Sequence, residues 1–202
     1  MKDTILFGDC RKTISTITEP VKMCVTSPPY YGLRDYGGEE NQIGQENSPE
    51  EFVDQLVEVF RNVREVLTDD GTLWINIGDS YYNYRPGKGQ SYPKQSVSKT
   101  KQDLPDKCNK RGNKLQGLKE KDLIGIPWLL AFALRSDGWY LRQDIIWHKP
   151  NPMPESVRDR CTKSHEYIFL LSKNRKYYYD NEAIKEPAKD WGTRDRTNGK
   201  YH

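Results

Sequence analysis

The spacing of hydrophobic and polar positions in the first part of the chain predicts short strands that alternate with helical turns. "TILFGD" (4–9) and "KMCVTS" (22–27) are apolar runs that end in polar turn residues, so each predicts a buried strand. "CRKTISTI" between them predicts a turn of helix. A strand, a crossover and a second strand favour an α/β fold with a parallel sheet.

The best-defined predicted helix begins after Ser48. Ser48 and Glu51 form a capping box, and Pro49 takes the first helical position. Apolar residues then recur at helical spacing, so we expect the helix to end near Leu67. These apolar residues are Phe52, Leu56, Val59, Phe60, Val63 and Val66. The turn sequence "TDDG" leads into "TLWINIG" (72–78), which predicts another strand.

The last third of the chain predicts one more helix and three strands. Pro127 and Gly138 delimit a helix in "IPWLLAFALRSDGW", and "YLRQDIIWHKP" predicts the strand that follows it. "SHEYIFLLSK" and "KYYYD" predict a hairpin whose turn is at "NR".

Residues 80–121 differ in character from the rest of the chain. They are rich in Lys, Ser, Gly, Asn and Pro, and they are too many for an ordinary loop inside a compact domain. Eleven Lys or Arg residues against three acidic ones lie between Asn83 and Lys121. Two interpretations stay open: a solvated, disordered insertion, or a basic arm that contacts phosphates, which the interleaved tyrosines favour.

Composition narrows the class of protein. The 202 residues, 35% hydrophobic and 30% charged, predict one domain with a modest core and a polar surface. No apolar run approaches the ~18 residues of a membrane span and the N-terminus lacks a secretory signal, so we expect a cytoplasmic protein. The cysteines form no C-x-x-C pair and the histidines show no ligand spacing, so we expect free thiols and no metal site.

The tetrapeptide "SPPY" (27–30) follows an apolar strand and carries distinctive chemistry. Each proline biases the residue before it toward extended backbone, which fixes Ser27 and Pro28. The Pro28 carbonyl and the Ser27 hydroxyl can accept the two hydrogens of an exocyclic amine on cytosine or adenine, which aims the nitrogen lone pair at an electrophile. Tyr30 can stack on the base, which has to be flipped out of a duplex to reach such a turn.

With these segments the chain resembles the DNA amino-methyltransferases, which use S-adenosylmethionine and carry a D/N/S-P-P-Y/F catalytic tetrapeptide. "VTSPPYYG" is similar to the serine form, commonest in N4-cytosine enzymes, whereas adenine enzymes more often begin with Asp or Asn. The resemblance continues through "ILFGDC", "FVDQLVEVFRNVREVLTDDGTLWINIGD" and "DIIWHKPNPMPESVRDRCTKSHEYIFLLSK". It covers nearly the whole chain apart from the basic insertion.

The resemblance implies a Rossmann-like α/β methyltransferase sheet that acts on double-stranded DNA, and it assigns roles to individual residues. It implies a catalytic motif of Ser27, Pro28, Pro29 and Tyr30, cofactor contacts at Asp9, Ser27 and Pro28, and DNA contacts at Trp147, Lys149, Asn151, Arg158 and Arg160. The two arginines are expected to meet phosphates. From the residues alone, Asp9 is typical of a turn or cap, and Trp147 is typical of a core or strand-pair aromatic.

One family feature is absent from the sequence. In the permuted (beta-type) subclass with this motif order, a glycine-rich F-x-G-x-G loop follows the region where this sequence stops. "PGKGQS" is not a substitute, because no strand precedes it and no apolar helix follows it. We therefore expect residues 1–202 to form a partial catalytic domain, incomplete at its C-terminal side. A homodimer or a separate C-terminal half would complete the cofactor site.

The sequence thus favours an N4-cytosine DNA methyltransferase of a restriction-modification system over four alternatives. An N6-adenine enzyme shares the motif, and a truncated or split fragment could bind DNA without catalysis. Protein glutamine-amide methyltransferases use the same hydrogen-bond logic, but they carry N-P-P-Y and place the cofactor loop first. Ligands of WW modules share P-P-x-Y, but they lie in exposed, disordered segments, whereas this motif follows an apolar strand.

Overall fold

One four-stranded sheet organises the chain. The computed structural model describes residues 3–33, 42–82 and 117–188. Strands β1 (Val21–Thr26), β2 (Leu67–Ile77), β3 (Tyr140–His148) and β4 (His165–Ser172) lie in the order β1-β2-β4-β3. β1 and β2 are parallel, and β4 is antiparallel to both β2 and β3, so β3 runs in the same direction as β1 and β2. The carboxyl ends of β1, β2 and β3 therefore meet the amino end of β4 at one edge.

Two long helices cover one face of this sheet. Helix α1 (Cys10–Thr13) continues into a 3₁₀ turn (Ile14–Thr16), and it is followed by α2 (Pro49–Val66) and α3 (Ile126–Ser136). The core lies between α2, α3 and the sheet, and it includes Phe52, Leu56, Phe60, Leu73, Ile75, Ile77, Leu130, Leu134, Phe169 and Leu171. On the other face of β1, Met23 is 55% exposed and Val25 68% exposed. The predicted burial of this strand is therefore wrong on that face.

Both predicted helices are confirmed, together with their end signals. The Ser48 hydroxyl accepts the Glu51 N–H at 3.2 Å, and Pro49 begins α2. The carboxylate of Glu51 reaches back to the N–H of Asn47 rather than to that of Ser48. Beyond the C-terminal end of α3, Gly138 has φ +100°. This conformation favours glycine, and it ends the helix. Local sequence signals were sufficient for these elements.

Three predictions about strands are wrong. Residues 4–9 form no strand, and Phe7 is 87% exposed, because the segment has no ladder partner among the described residues. "KYYYD" forms no hairpin with β4, since both edges of β4 are already paired with β2 and β3. "TDDG" does not precede the strand but lies within β2, where the register against β1 shifts between Val21 and Met23.

The ends of the basic insertion are held together beside the sheet edge. The Tyr82 N–H donates to the Asp122 carbonyl, and the Lys121 N–H donates to the Tyr82 carbonyl, both at 2.8 Å. Tyr81 and Leu123 form an antiparallel bridge. The part of the insertion between these ends, residues 83–116, lies outside the described residues.

The described ranges add two negative findings. They contain no helix long and apolar enough to cross a membrane. They also contain no cluster of three or more His, Cys, Asp or Glu side chains that could hold a metal ion. Cys10, Cys24 and Cys161 are free thiols.

Asp79 connects the carboxyl end of β2 to the start of α3. Its carboxylate accepts the N–H groups of Ser80, Gly125 and Ile126 at 2.9 to 3.1 Å. Replacement by Ala leaves these donors without their acceptor, so we expect Asp79→Ala to lower the free energy of unfolding by about 1–3 kcal/mol in urea titrations. Asp54→Ala, on the exposed side of α2, is the matched control. Equal losses in the two variants would contradict the capping role.

Candidate active site

The tetrapeptide 27–30 lies at the sheet edge where β1 ends. Pro28 is buried, whereas Ser27 and Pro29 are exposed and Tyr30 is half-buried. Within the described part of the chain, no hydrogen bond engages the carbonyl of Pro28. Ser27 is exposed and its hydroxyl can still accept a hydrogen, so the role of these two acceptors in holding an amine stays a prediction.

Tyr30 is held by a cluster of polar side chains from the neighbouring strands. Its hydroxyl lies 3.2 Å from Asn76 Oδ1 on β2 and 3.1 Å from Glu166 Oε2 on β4. Ser27 Oγ lies 3.4 Å from the same Asn76 oxygen. The other oxygen of Glu166 accepts a hydrogen bond from the Lys149 ammonium. We call these five residues the Tyr30 cluster; they connect the loop after β1 with β2, β4 and the end of β3.

The electrostatics of the cluster favour a neutral phenol and an ionised carboxylate. Burial, together with the charge of Glu166, raises the pKa of Tyr30, although a hydrogen bond with Ser27 acts in the opposite direction. Burial also raises the pKa of Glu166, but hydrogen bonds from Lys149 and Tyr30 outweigh it, so that the pKa is below its usual value. Near neutral pH, Tyr30 is therefore a hydrogen-bond donor and Glu166 an acceptor.

Gly78 allows the Tyr30 ring to lie against the end of β2. A Cβ built on Gly78 would be 2.6 Å from Tyr30 Cε2, closer than real Cβ contacts. The ring thus occupies the space that any other residue at position 78 would fill. The backbone of Gly78 and the polar groups of the cluster together define where the ring lies.

Asp9 lies near the N-terminus of α1, and its carboxylate is occupied. It accepts the backbone N–H of Arg11 at 3.0 Å and also pairs with the Arg11 guanidinium at 2.8 Å. These hydrogen bonds lower the pKa of Asp9. The turn-cap interpretation of Asp9 is thus present in the structure, and the cofactor contact stays a prediction.

The predicted DNA-side residues lie on and after β3. Trp147 is 56% exposed and pairs in register with Glu166, so its side chain lies on the same face of the sheet as the Glu166 carboxylate. Asn151 and Arg158 are exposed. The structure thus brings Trp147 and Lys149 to the Tyr30 cluster. Among the described residues, no hydrogen bond or ion pair links Asn151 or Arg158 to the cluster.

Arg160 is engaged away from the cluster. Its guanidinium pairs with Glu155 at 2.5 Å and lies 4.0 Å from the centroid of the Tyr81 ring. Lys121, at the base of the basic insertion, pairs with Asp159. These contacts attach the loop after β3 to the ends of the insertion.

Asn76 and Glu166 were not predicted from the sequence. Asn76 is the single polar residue in the strand sequence "WINIG", and Glu166 follows His165 at the start of "HEYIFLL". Leu73, Ile75 and Ile77 point into the core, so by alternation Asn76 points to the opposite face of β2. For Asn76, an isolated polar residue on an otherwise apolar stretch of strand was the available signal.

The fold and the site together define a class of protein. An α/β sheet that gathers a polar and aromatic site at the carboxyl ends of its parallel strands is the arrangement of Rossmann-like ligand-binding domains. A family model described as DNA methylase, of N6 and N4 type, matches residues 21–202. The chain belongs to this N6/N4 DNA methylase family.

Curated relatives support the same membership. The chain is 54% identical over 192 residues to the type II methyltransferase M.SmaI of Serratia marcescens, covering 92% of this chain and 61% of that protein. It is 50% identical over 194 residues to M.Cfr9I of Citrobacter freundii, covering 96% of this chain and 62% of that protein. The chain therefore spans about 60% of the length of these relatives.

Solved structures share the fold. The cytosine-N4-specific PvuII DNA methyltransferase superposes with a TM-score of 0.53 at 15% identity, covering 86% of this chain and 50% of that one. A DNA modification methylase of Thermus thermophilus, in complex with S-adenosyl-L-methionine, gives a TM-score of 0.54 at 22% identity, covering 87% of this chain and 55% of that one. The predicted Rossmann-like methyltransferase fold is confirmed, and the chain is partial relative to these proteins.

Substitution of Gly78 tests how Tyr30 is seated. We expect Gly78→Ala to lower the free energy of unfolding by about 1–3 kcal/mol, because the new methyl group overlaps the Tyr30 ring. Tyr30→Ala removes the overlapping ring, so adding Gly78→Ala to it should cost much less. A double-mutant cycle in urea measures this coupling. Additive losses would show that the ring is not seated against Gly78.

Proposed function

We propose that the protein is a DNA methyltransferase that transfers a methyl group to the N4 amine of cytosine. The observation that carries this proposal is the pair of acceptors, the Ser27 hydroxyl and the Pro28 carbonyl, beside the clamped Tyr30 ring. An amine with two hydrogens and a planar ring matches this arrangement. Family membership supports methyl transfer to DNA, and the identity to type II methyltransferases supports a role in restriction-modification.

In the proposed reaction, the residues of the chain hold and orient the base. The flipped base stacks on Tyr30, and its amine donates one hydrogen to Ser27 Oγ and one to the Pro28 carbonyl. These two hydrogen bonds turn the nitrogen lone pair out of conjugation with the ring. No strong general base is needed at this stage, because the amine proton can leave after the transfer. Exposed Ser27 offers that proton a route to water.

Cytosine is favoured over adenine by two observations. Ser27 occupies the first position of the motif, the form that the resemblance associates with N4-cytosine enzymes. A structural neighbour of this chain is itself cytosine-N4-specific by name. N6-adenine is the second candidate, since the same two acceptors can hold its amine.

S-adenosylmethionine is the cofactor that this proposal requires, and it supplies an electrophilic methyl group when bound. A structural neighbour was solved with this molecule. The described residues fit one side of such a site: Ser27 and Pro28 follow β1, the strand that carries the exposed Met23 and Val25. Because Asp9 is occupied by Arg11, a cofactor contact from Asp9 requires its carboxylate to be shared.

We further propose that a second polypeptide completes the cofactor site. Among the described residues, β1 is an edge strand that pairs only with β2, and apolar side chains beside that edge are exposed. A homodimer or a separate C-terminal half would cover this edge. Double-stranded DNA would then approach the opposite end of the site, where Trp147 lies on the face of the Tyr30 cluster. Action on cellular DNA places the enzyme in the cytoplasm.

The first test is binding and transfer by the 202-residue chain. Calorimetric titration with S-adenosylmethionine, with and without double-stranded DNA, measures whether the site forms in this chain. Incubation with unmethylated DNA, followed by mass spectrometry of the nucleosides, should then show N4-methylcytosine. N6-methyladenine in its place would overturn the choice of base. DNA binding without any methylated nucleoside, in the presence of bound cofactor, would favour a non-catalytic DNA-binding fragment.

Variants of the tetrapeptide test the assigned roles. We expect the double variant Ser27→Ala, Tyr30→Ala to lose methyl transfer by about 100-fold or more, because the amine is no longer oriented. Ser156→Ala, in the exposed loop after β3, is the control and should keep full activity. Full transfer by the double variant would refute the roles of Ser27 and Tyr30.

A further inference from the structure

Glu166 has no assigned role in the proposed reaction, yet both of its carboxylate oxygens are used. One oxygen accepts a hydrogen bond from the Tyr30 hydroxyl at 3.1 Å, and the other accepts a hydrogen bond from the Lys149 ammonium. The Glu166 side chain is only 19% exposed, so its charge is largely removed from water. A carboxylate in this position has to be paired and hydrogen-bonded to remain ionised.

We propose that Glu166 is a positioning residue for Tyr30: its carboxylate fixes the orientation of the ring on which the target base stacks. This inference rests on the proposed function, since stacking of a base is what gives the ring orientation a consequence. Glu166 itself touches neither the base nor the reacting amine. It acts through the hydroxyl of Tyr30.

The contacts of Tyr30 explain why an anchor at the hydroxyl matters. Gly78 limits the ring at its Cε2 edge, but a tyrosine on a turn can still rotate away from the sheet. The hydroxyl lies at the far end of the ring, where one hydrogen bond restrains both side-chain torsions. A hydrogen bond to a carboxylate is roughly twice as strong as one to a neutral acceptor, so Glu166 is a stronger anchor than Asn76.

The same geometry gives Lys149 a role that differs from the DNA contact predicted for it. Its ammonium is bound to Glu166 and helps to hold the pKa of that carboxyl below its usual value. Since Lys149 follows the last residue of β3 and its N–H donates to the Ser164 carbonyl at 2.7 Å, its position is fixed by the sheet. Lys149 thus keeps Glu166 ionised and in place, and Glu166 in turn holds Tyr30.

The first arm of the test follows Tyr30 directly and does not depend on activity. The 202-residue chain is labelled with ¹³Cζ-tyrosine, and Tyr30→Phe identifies the Tyr30 resonance. In Glu166→Gln, which keeps an acceptor but removes the charge, we expect the Tyr30 resonance to stay near its position and the pKa of Tyr30 to fall. In Glu166→Leu, which removes the acceptor, we expect the resonance to shift and broaden. Glu65→Gln, on α2 and exposed, should change neither.

The second arm measures methyl transfer to DNA. We expect Glu166→Leu to lower kcat about tenfold with an unchanged KM for S-adenosylmethionine, and Glu166→Gln to recover part of that loss. In a Tyr30→Phe background, Glu166→Leu should have no further effect, because the hydroxyl through which it acts is gone. A purely structural role would instead give equal losses in both backgrounds.

The two arms separate this inference from the proposed function. An unchanged Tyr30 resonance and pKa in both Glu166 variants would overturn the inference, and so would a wild-type kcat in Glu166→Leu. If the wild-type chain transfers no methyl group, the proposed function fails for this chain, and the spectroscopic arm alone decides whether Glu166 positions Tyr30.

Discussion

The polar contacts of the Tyr30 hydroxyl connect the parts of the molecule that make up the site. They join the loop after β1 to Asn76 on β2 and to Glu166 on β4, which is 136 positions away along the chain. This contact depends on the sheet order, because β4 is inserted antiparallel between β2 and β3. Its amino end therefore lies at the same edge as the carboxyl ends of its neighbours. With β4 at the outside of the sheet, the carboxylate would lie too far from Tyr30.

The helices could be predicted from the sequence because their signals are local. Ser48, Pro49 and the spacing of apolar residues determine α2, and Gly138 ends α3 by its own backbone preference. Strand pairing is not local, and this is where the predictions failed. An apolar run such as residues 4–9 suits a strand, but it forms one only if another strand offers its edge. The sequence of "KYYYD" likewise cannot show that β4 is already paired on both sides.

The site could be predicted only in part, because one portion of it is local in sequence and the other depends on strand pairing. The tetrapeptide is contiguous, so its acceptors and its aromatic ring are evident from four residues. The supporting groups are distant in sequence, and their meeting depends on the register that places Asn76 opposite Ile168 and Trp147 opposite Glu166. A shift of one residue in the β2–β4 register would turn Glu166 to the helix-covered face, and a shift in the β3–β4 register would turn Trp147 away from Glu166. The cofactor contact of Asp9 and the DNA contact of Lys149 stay predictions, and their partners Arg11 and Glu166 were not foreseen.

The two sides of the tetrapeptide 27–30 differ in how far their neighbouring groups are paired and covered. On the side of β2 and β4, the polar groups that meet the Tyr30 hydroxyl are paired, and the ring is restrained by the backbone of Gly78. On the side of β1, Met23 and Val25 are exposed beside an edge that has no partner strand among the described residues. An exposed apolar edge strand favours association with another strand. In the proposed enzyme, the residues that would hold the base are therefore already tied to the sheet, whereas the β1 side, where Ser27 and Pro28 would contact S-adenosylmethionine, would gain its remaining contacts from the strand that covers this edge.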